Sequence, residues 1–288
     1  MHGLGNDFIV IDDAAGSFTW EALSALAQRY CPRRFGIGAD GLIAVGHGPL
    51  AGEQWPAAVD FEMRYVNADG SRAEMCGNGI RCLGKFAADE LSFAGDKLRV
   101  LTGAGVLPLK LKRGADGVVE AVTVGMGQPR FSAEAIPTTL RPAKEQVIGA
   151  MLDLDEDEPL LVTAVNMGNP HAVFFVDAIT DDQVLSLGPL IETHPAFPQK
   201  VNAEFVQLLG PARLRMRVWE RGCGETWACG TGACASVAAA VVNGQCAYGT
   251  DVTVVLNGGE LSVNWPMPSE QVYMTGPAVS AFRGELQP

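Results

Sequence analysis

Apolar and polar residues alternate with a period of two in many short runs of this chain, and runs with helical spacing interrupt them. Period-two runs are typical of half-buried strands. The predicted strands are 7–12, 42–45, 61–66, 98–102, 105–111, 118–124, 214–219, 250–256, 260–265 and 271–275. The predicted helices are Trp20–Tyr30, about Asn78 to Glu90, and Cys229 to about Gly244. Because strands outnumber helices and mostly follow one another directly, we expect an α+β fold.

The second half of the chain repeats tracts of the first half in the same order. Gly168–Asp177 resembles Gly5–Asp12, and Val201–Glu204 resembles Ile37–Asp40. Between the halves, Gly125–Pro159 is Pro-rich and acidic, and we expect it to be a crossover with a solvated loop. The repetition predicts two similar domains related by a pseudo-twofold axis.

The clearest repeat is a Cys-Gly-x-Gly tract, at Cys76 and again at Cys229. Each tract follows a predicted strand and enters an Ala-rich helical run, so each cysteine is expected at a helix N-terminus. Backbone N–H groups and the helix dipole favour a thiolate there and should lower the pKa of the thiol. Two such thiols facing one cavity would form an acid/base pair, which points to an enzyme that inverts a carbon centre.

The other five cysteines lack this glycine context, and we interpret them as structural. They are Cys31, Cys82, Cys223, Cys234 and Cys246. A zinc site made by Cys223, Cys229 and Cys234 is the alternative for a non-catalytic binding protein, although the Cys-x5-Cys-x4-Cys spacing lacks the close Cys-x2-Cys pair that is common in structural zinc sites. No Gly-x-Ser-x-Gly, phosphate-binding or dinucleotide motif is present, so we expect neither a cofactor nor a metal.

Polar residues cluster in the loops around the two tracts. The asparagines are Asn6, Asn67, Asn78, Asn169 and Asn202, each near a strand end or a glycine turn. Together they predict an amide-rich cavity for a zwitterionic amino-acid substrate. Glu220 and Arg221 add charges for the ammonium and carboxylate groups, and His171 could control the protonation of a nearby thiol.

Composition excludes several other classes of function. The net charge is −12, from 21 basic and 33 acidic residues, without a basic patch, so we expect neither nucleic acid nor membrane as a partner. No apolar stretch approaches the ~18 residues of a transmembrane helix. The N-terminal residues do not resemble a secretory signal, and with seven cysteines we expect reduced thiols in the cytoplasm.

Taken together, these tracts resemble the diaminopimelate epimerases, the cofactor-independent amino-acid racemases of lysine and peptidoglycan precursor synthesis. The matching tracts are His2–Phe8, Asn67–Arg81, Asn166–His171, Trp219–Ala233 and Met274–Pro277. The resemblance implies a homodimer whose protomer has two domains, each a mostly antiparallel sheet wrapped around a central helix, with the active site in the interdomain cleft. The domains would be residues 1–124, joined by the tail 276–288, and residues 125–275.

The resemblance also implies roles for single residues. Cys229 would be the proton acceptor and Cys76 the proton donor when L,L-diaminopimelate becomes the meso isomer, and His171 and Glu220 would tune thiol ionisation. Substrate contacts would come from Asn6, Asn67, Gly77, Asn78, Asn169, Asn202, Glu220, Arg221, Gly230 and Thr231. A proline or hydroxyproline racemase remains the nearest alternative, although that family typically has Cys-Gly-His-Gly in its first tract. Gly41 departs from the family pattern, since some relatives place a glutamine there.

Overall fold

The chain divides into two units, Met1–Gly125 with Thr275–Pro288, and Met126–Met274, which we call the N-terminal and the C-terminal unit. This computed structural model describes residues 1–49, 54–56, 58–154 and 159–286. Most of the acidic run at 153–158 and the end of the 276–288 tail therefore lie outside the described residues. Strands dominate both units, which confirms the α+β class.

The N-terminal unit is one mixed sheet with two helices. Its strands are β1 (His2–Gly3), β2 (Asn6–Asp13), β3 (Gly41–Gly46), β4 (Phe61–Asn67), β5 (Arg72–Ala73), β6 (Lys97–Thr102), β7 (Gly105–Arg113), β8 (Val119–Gly125) and β17 (Tyr273–Pro277), and its helices are α1 (Trp20–Tyr30) and α2 (Gly77–Asp89). The order is β1-β2-β3-β4-β6-β7-β8-β17, and β5 forms a hairpin with β4. The pairs β2/β3 and β4/β6 are parallel, whereas β1/β2, β3/β4, β6/β7 and β7/β8 are antiparallel.

The sheet of the N-terminal unit wraps around α2. This helix contacts β1, β2, β3, β7 and β8, and its buried residues lie on every side, including Ile80, Leu83 and Ala87. Helix α1 instead packs one face, with Leu23 and Ala27 buried, against β3 and β4. The Thr19 hydroxyl caps α1 by accepting from the backbone N–H of Ala22 at 3.2 Å. At the N-terminus of α2, Cys76 and Asn78 contact Asn6 of β2.

The C-terminal unit repeats this plan. Its strands are β9 (Ala150–Leu152), β10 (Leu160–Asn166), β11 (Pro170–Phe175), β12 (Asn202–Gly210), β13 (Arg213–Glu220), β14 (Gly224–Glu225), β15 (Asp251–Leu256) and β16 (Gly259–Asn264), and its helices are α3 (Gly188–Glu192) and α4 (Gly230–Val242). The order is β9-β10-β11-β12-β13-β15-β16, with β11/β12 and β13/β15 parallel. Helix α4 is buried along almost its whole length.

The strand registers define which residues of the two units correspond. Ile43 pairs with Tyr65 in β4, and Glu204 pairs with Val218 in β13. The two cysteine tracts align Tyr65 with Val218, so Glu204 takes the place of Ile43. The expected match of Glu204 with Asp40 is therefore wrong by three residues, because short tracts of similar composition can be aligned in more than one register.

The expected crossover over 125–159 is also wrong in its described part. Ala133, Ile136 and Val147 are buried in a core of the C-terminal unit, together with Leu152 of β9. Backbone hydrogen bonds join Arg130 to Asn166 of β10 at 2.8 and 3.1 Å. The prolines of this segment interrupt strand hydrogen bonding but do not prevent burial of its apolar side chains. Its composition therefore did not reveal that the segment belongs to the core.

Candidate active site

Each of the two tract cysteines is the N-cap residue of a central helix, Cys76 of α2 and Cys229 of α4. Both have extended backbone dihedrals, with φ/ψ of −135°/122° and −114°/109°, as N-cap residues require. The preceding strands β4 and β13 each form a short hairpin before the helix begins. The predicted placement of both thiols at helix N-termini is confirmed.

In the N-terminal unit, Asn6 lies against the thiol of Cys76. Asn6 Oδ1 accepts from Cys76 Sγ at 3.6 Å and from Asn78 Nδ2 at 3.1 Å. Asn6 Nδ2 donates to Asp40 Oδ2 at 2.6 Å. Because a carboxylate can only accept, Asp40 fixes the orientation of the Asn6 amide and directs its oxygen at the thiol. A carbonyl oxygen there favours the protonated S–H form of Cys76.

Two arginines hold this group from either side. Arg33 donates to Asp40 Oδ1 at 2.7 Å and to both carboxylate oxygens of Asp7 at 2.7 and 2.9 Å. Arg81, which is fully buried, donates to Asn78 Oδ1 at 3.0 Å and to the backbone oxygen of Pro277 in β17 at 3.3 Å. A directed chain of hydrogen bonds therefore runs from Arg81 through Asn78 to Asn6.

In the C-terminal unit, Cys229 is 5 % exposed and its sulfur faces donors. Sγ accepts from the backbone N–H of Gly232 at 3.3 Å and lies 3.5 Å from the Thr231 hydroxyl. Burial, reinforced by the charges of Glu220 and Glu204, nevertheless raises the pKa of Cys229 well above its usual range. The expected lowering by the helix N-terminus is wrong for this thiol, because desolvation and two nearby carboxylates outweigh the Thr231 and Gly232 contacts.

His171 is fully buried between two side chains. Its Nδ1 lies 2.6 Å from Glu204 Oε1, and its Nε2 lies 2.9 Å from Asn169 Oδ1. Burial raises the pKa of Glu204 to about 7, while His171 acts in the opposite direction. The three residues thus form a chain in which Asn169 and Glu204 hold the imidazole from both sides.

The remaining predicted residues make local contacts. Glu220 accepts from the Thr226 hydroxyl, and Asn67 Nδ2 donates to Ser71 Oγ at 2.9 Å. Asn202 accepts from the backbone N–H of Arg221 at 2.9 Å and donates to the backbone oxygen of Pro170 at 2.8 Å. Asn202 therefore holds the Glu220-Arg221 turn to β11. Gly77 and Gly230 are the first residues of α2 and α4.

The structure adds three residues that the sequence interpretation did not place in the site: Asp40, Arg81 and Glu204. Arg81 lies in the first tract, but the second tract has Cys234 in its place, so the repeat did not mark it. Asp40 and Glu204 were matched to each other, and that match placed Glu204 ahead of a strand and not within one.

The other cysteines differ from the tract thiols. Burial raises the pKa of Cys31 to about 11 and that of Cys82 to about 12, and neither lies at a helix N-terminus, because Cys31 is the C-cap residue of α1 and Cys82 lies inside α2. None of the seven cysteines forms a disulfide. Among residues 1–49, 54–56, 58–154 and 159–286, no three His, Cys, Asp or Glu side chains are grouped as metal ligands would be. In the same part of the chain, no helix has the length and apolarity needed to cross a membrane.

Comparison with known proteins identifies the family. A family model described as diaminopimelate epimerase matches residues 1–132 and 163–281. The diaminopimelate epimerase of Thermosynechococcus vestitus is 50% identical over 292 residues, covering 99% of this chain and 96% of that protein. The diaminopimelate epimerase of Synechocystis is 47% identical over 287 residues, with coverage of 99% and 97%.

Solved structures of lower identity share the fold. A Bacillus anthracis phenazine biosynthesis protein of the PhzF family superposes with a TM-score of 0.64 at 15% identity, covering 96% of this chain and 92% of that one. A probable proline racemase from Agrobacterium radiobacter, with bound carbonate, also has a TM-score of 0.64, at 16% identity and coverage of 96% and 88%. At such identities the likeness concerns the fold.

Proposed function

The chain belongs to the diaminopimelate epimerase family, and we propose that it interconverts L,L-diaminopimelate and meso-diaminopimelate without a cofactor. It would be an isomerase of lysine and peptidoglycan precursor synthesis. The observation that carries this proposal is the repeated placement of Cys76 and Cys229, each as the N-cap of a central helix after the same strand and hairpin. Identity of 50% over nearly the whole chain supports the choice of substrate.

The reaction needs one base and one acid on opposite faces of the substrate α-carbon. One thiolate removes the α-proton, and the other thiol delivers a proton to the opposite face, so the configuration inverts. The carbanion between these steps places negative charge on the substrate carboxylate. Backbone N–H groups of the first helical turns, which begin at Gly77 and Gly230, are the donors that would stabilise this charge.

The contacts of the two sulfurs favour one assignment of roles. Cys76 faces the acceptor oxygen of Asn6, which suits a protonated donor, whereas Cys229 faces the N–H of Gly232, which suits an anionic acceptor. We therefore assign Cys229 as proton acceptor and Cys76 as proton donor for the L,L to meso direction. His171 and Glu220 would tune thiol ionisation.

The proposed substrate-binding residues fall into groups according to the side chains that they contact in the structure. Asn6 and Asn78 form one group beside Cys76, Thr231 lies beside Cys229, and Asn169 contacts His171. Glu220 and Arg221 follow β13 and would bind the ammonium and carboxylate groups of the substrate. The remaining contacts would come from Asn67, Gly77, Asn202 and Gly230. We further propose that the enzyme acts in the cytoplasm as a homodimer, which size-exclusion chromatography with light scattering would test.

The first test is α-proton exchange in deuterated water, followed by NMR, under reducing conditions and without added cofactor. L,L-diaminopimelate should incorporate deuterium as the meso isomer forms, and Cys76→Ala and Cys229→Ala should each abolish inversion. With L,L-diaminopimelate, Cys76→Ala should retain some exchange without inversion, because the assigned base is intact, whereas Cys229→Ala should lose both. The opposite pattern would reverse the assignment of the two thiols.

A parallel reaction with L-proline separates the proposal from its alternative. Exchange with proline and none with diaminopimelate would make the enzyme a proline racemase. Absence of exchange with either substrate, on folded protein, would overturn the epimerase proposal. Cys246→Ala is a control, because this buried thiol follows the C-terminal end of α4, opposite the end that Cys229 caps, and should be dispensable.

A further inference from the structure

Glu204 is a fully buried carboxylate that the proposed reaction does not use. It lies on β12, and its side chain has no exposed surface. Oε1 lies 2.6 Å from His171 Nδ1, whereas Oε2 has no hydrogen-bond partner among the described residues. Burying a carboxylate with an oxygen unsatisfied is unfavourable, so its position requires an explanation in packing or in function.

Packing does not explain it, because the N-terminal unit forms the same structure with apolar residues. There, a Cβ added at Gly79 would lie 2.8 Å from Ile43 Cδ1 and 3.4 Å from Phe8 Cζ. At the corresponding Gly232, the added Cβ would lie 2.9 Å from Glu204 Oε1. The third residue of each central helix thus packs on an isoleucine in one unit and on a carboxylate in the other.

His171 also takes the place of an apolar residue of the N-terminal unit. Val10 pairs with Ile43, and Val173 pairs with Glu204, so the residues two positions earlier, Phe8 and His171, also correspond. The His171–Glu204 pair therefore stands where the N-terminal unit has a Phe–Ile pair. The fold accepts an apolar pair here, and the C-terminal unit has an ionisable one.

Glu204 is also close to the Cys229 thiol. The point at Gly232 that lies 2.9 Å from Glu204 Oε1 lies 3.2 Å from Cys229 Sγ, so both groups flank the first turn of α4. The titratable groups that face Glu204 are His171 on β11, Glu220 on β13 and Cys229 at the start of α4. A negative charge among them opposes formation of a thiolate.

We propose that Glu204 is a positioning residue that holds His171 through Nδ1 and controls the ionisation of the Cys229 thiol. By opposing thiolate formation, the carboxylate makes Cys229 a stronger base once it has lost its proton, which suits abstraction of a weakly acidic α-proton. By holding Nδ1, it keeps Nε2 directed at Asn169. The contribution of Glu204 to turnover rests on the proposed function, whereas its effect on the ionisation of Cys229 does not.

The test is the pH dependence of Cys229 alkylation by iodoacetamide, quantified by mass spectrometry of the peptide that contains it. Glu204→Gln keeps the side-chain shape and removes the charge, so the midpoint should fall by about one pH unit, a tenfold gain in thiolate below the midpoint. Glu260→Gln is the control, because Glu260 binds Arg213 at the far end of β13 from Glu220, about 23 Å away at the usual strand rise. An unchanged or raised midpoint in Glu204→Gln would overturn the proposal.

Turnover of the same variants separates this inference from the proposed function. A lowered alkylation midpoint on protein that does not epimerise diaminopimelate would sustain the control of Cys229 and refute the function. Epimerisation with an unshifted midpoint would refute the role of Glu204 and sustain the function. If both hold, the pH profile of kcat/KM in Glu204→Gln should shift in the same direction as alkylation.

A measurement on the unsubstituted protein covers the case in which Glu204→Gln does not fold. In 15N-histidine-labelled protein, the Nδ1 proton of His171 should be shielded from solvent exchange and should stay on Nδ1 across neutral pH. Exchange of this proton with solvent as fast as in an exposed imidazole, or its presence on Nε2 in place of Nδ1, would overturn the proposal.

Discussion

The two central helices begin with the same Cys-Gly-x-Gly tract after the same strand and hairpin, and yet their thiols have opposite surroundings. Cys76 faces the amide oxygen of Asn6, which Asp40 and Arg33 orient at the protein surface. Cys229 is buried beside a helix N–H and a fully buried carboxylate. In the N-terminal unit, the acceptor oxygen of Asn6 favours the protonated thiol of Cys76. In the C-terminal unit, hydrogen-bond donors face the sulfur of Cys229, while burial and nearby charges raise the pKa of that thiol.

This difference shows where a duplicated fold became asymmetric. The backbone plan, the strand registers and the helix caps were retained, so the asymmetry lies in side chains: Phe8 and Ile43 in one unit, His171 and Glu204 in the other. A reaction that removes a proton on one face and adds one on the other needs two thiols in different protonation states. Two identical surroundings would give two identical thiols.

The largest expected effect comes from erasing the asymmetry. In the double variant His171→Phe with Glu204→Ile, the C-terminal unit receives the apolar pair of the N-terminal unit. Epimerisation should fall roughly a thousandfold, because both side chains that control the ionisation of Cys229, the assigned base, are lost. The free energy of unfolding should stay equal or rise, by up to about 4 kcal/mol, because a buried ionisable pair is replaced by apolar side chains.

Steady-state turnover and chemical denaturation check this pair of outcomes. The matched control is the conservative exchange Phe8→Leu with Ile43→Val, which alters the apolar pair without changing charge and should reduce stability with little effect on the pH profile. A strong loss of stability in the His171/Glu204 variant would mean that the buried pair serves the fold.

An intermediate effect is expected from adding one methyl group at equivalent helix positions. In Gly232→Ala, the new Cβ would lie 2.9 Å from Glu204 Oε1 and 3.2 Å from Cys229 Sγ, so the thiol must move. Displacement of a reacting group on this scale should reduce turnover about a hundredfold. In Gly79→Ala, the Cβ would meet Ile43 Cδ1 at 2.8 Å and Met63 Cε at 3.1 Å, both ends of flexible side chains.

Gly79→Ala should therefore cost stability, about 1–3 kcal/mol, more than it costs turnover. Thermal unfolding and turnover of both variants distinguish the two cases. Equal losses of turnover in Gly79→Ala and Gly232→Ala would show that catalysis is equally sensitive to the first turn of each helix. That result would contradict the difference between the surroundings of the two thiols.

The sequence predicted the fold class, the repeat and the helix N-termini, because these depend on local periodicity and on glycine-bearing tracts. It did not predict the raised pKa of Cys229, because that depends on how deeply the thiol is buried and on Glu204, which is adjacent only through strand register. A shift of three residues in aligning Val201–Glu204 matched Glu204 to Asp40, which precedes β3, and not to Ile43, which lies inside it. The strand register decides on which face of a sheet a charged side chain lies, and short tracts do not determine the register.

The same limit applies to the segment over 125–159. Its prolines and acidic residues predict a loop, but Ala133, Ile136 and Val147 lie in a core of the C-terminal unit. Isolated apolar residues without a period carry no signal for burial, and only the partner strands β9 and β10 show where they pack. Long-range packing overrides local composition at such positions.

The smallest expected effect comes from Asp40, which orients Asn6 from the surface. In Asp40→Asn, the new amide can accept from Asn6 Nδ2 or donate to Asn6 Oδ1, so Asn6 is no longer held with its oxygen toward Cys76. Turnover should fall about tenfold, or about 1.4 kcal/mol in the barrier. The free energy of unfolding should change by no more than about 1 kcal/mol, because the ion pair with Arg33 is largely exposed. Asp181→Asn, which removes an exposed partner of Arg217 in the other unit, should change neither quantity appreciably. Wild-type turnover in Asp40→Asn would mean that Asn78 alone orients Asn6. The hydrogen bonds from Arg81 through Asn78, and not those from Arg33 through Asp40, would then direct the Asn6 oxygen at Cys76.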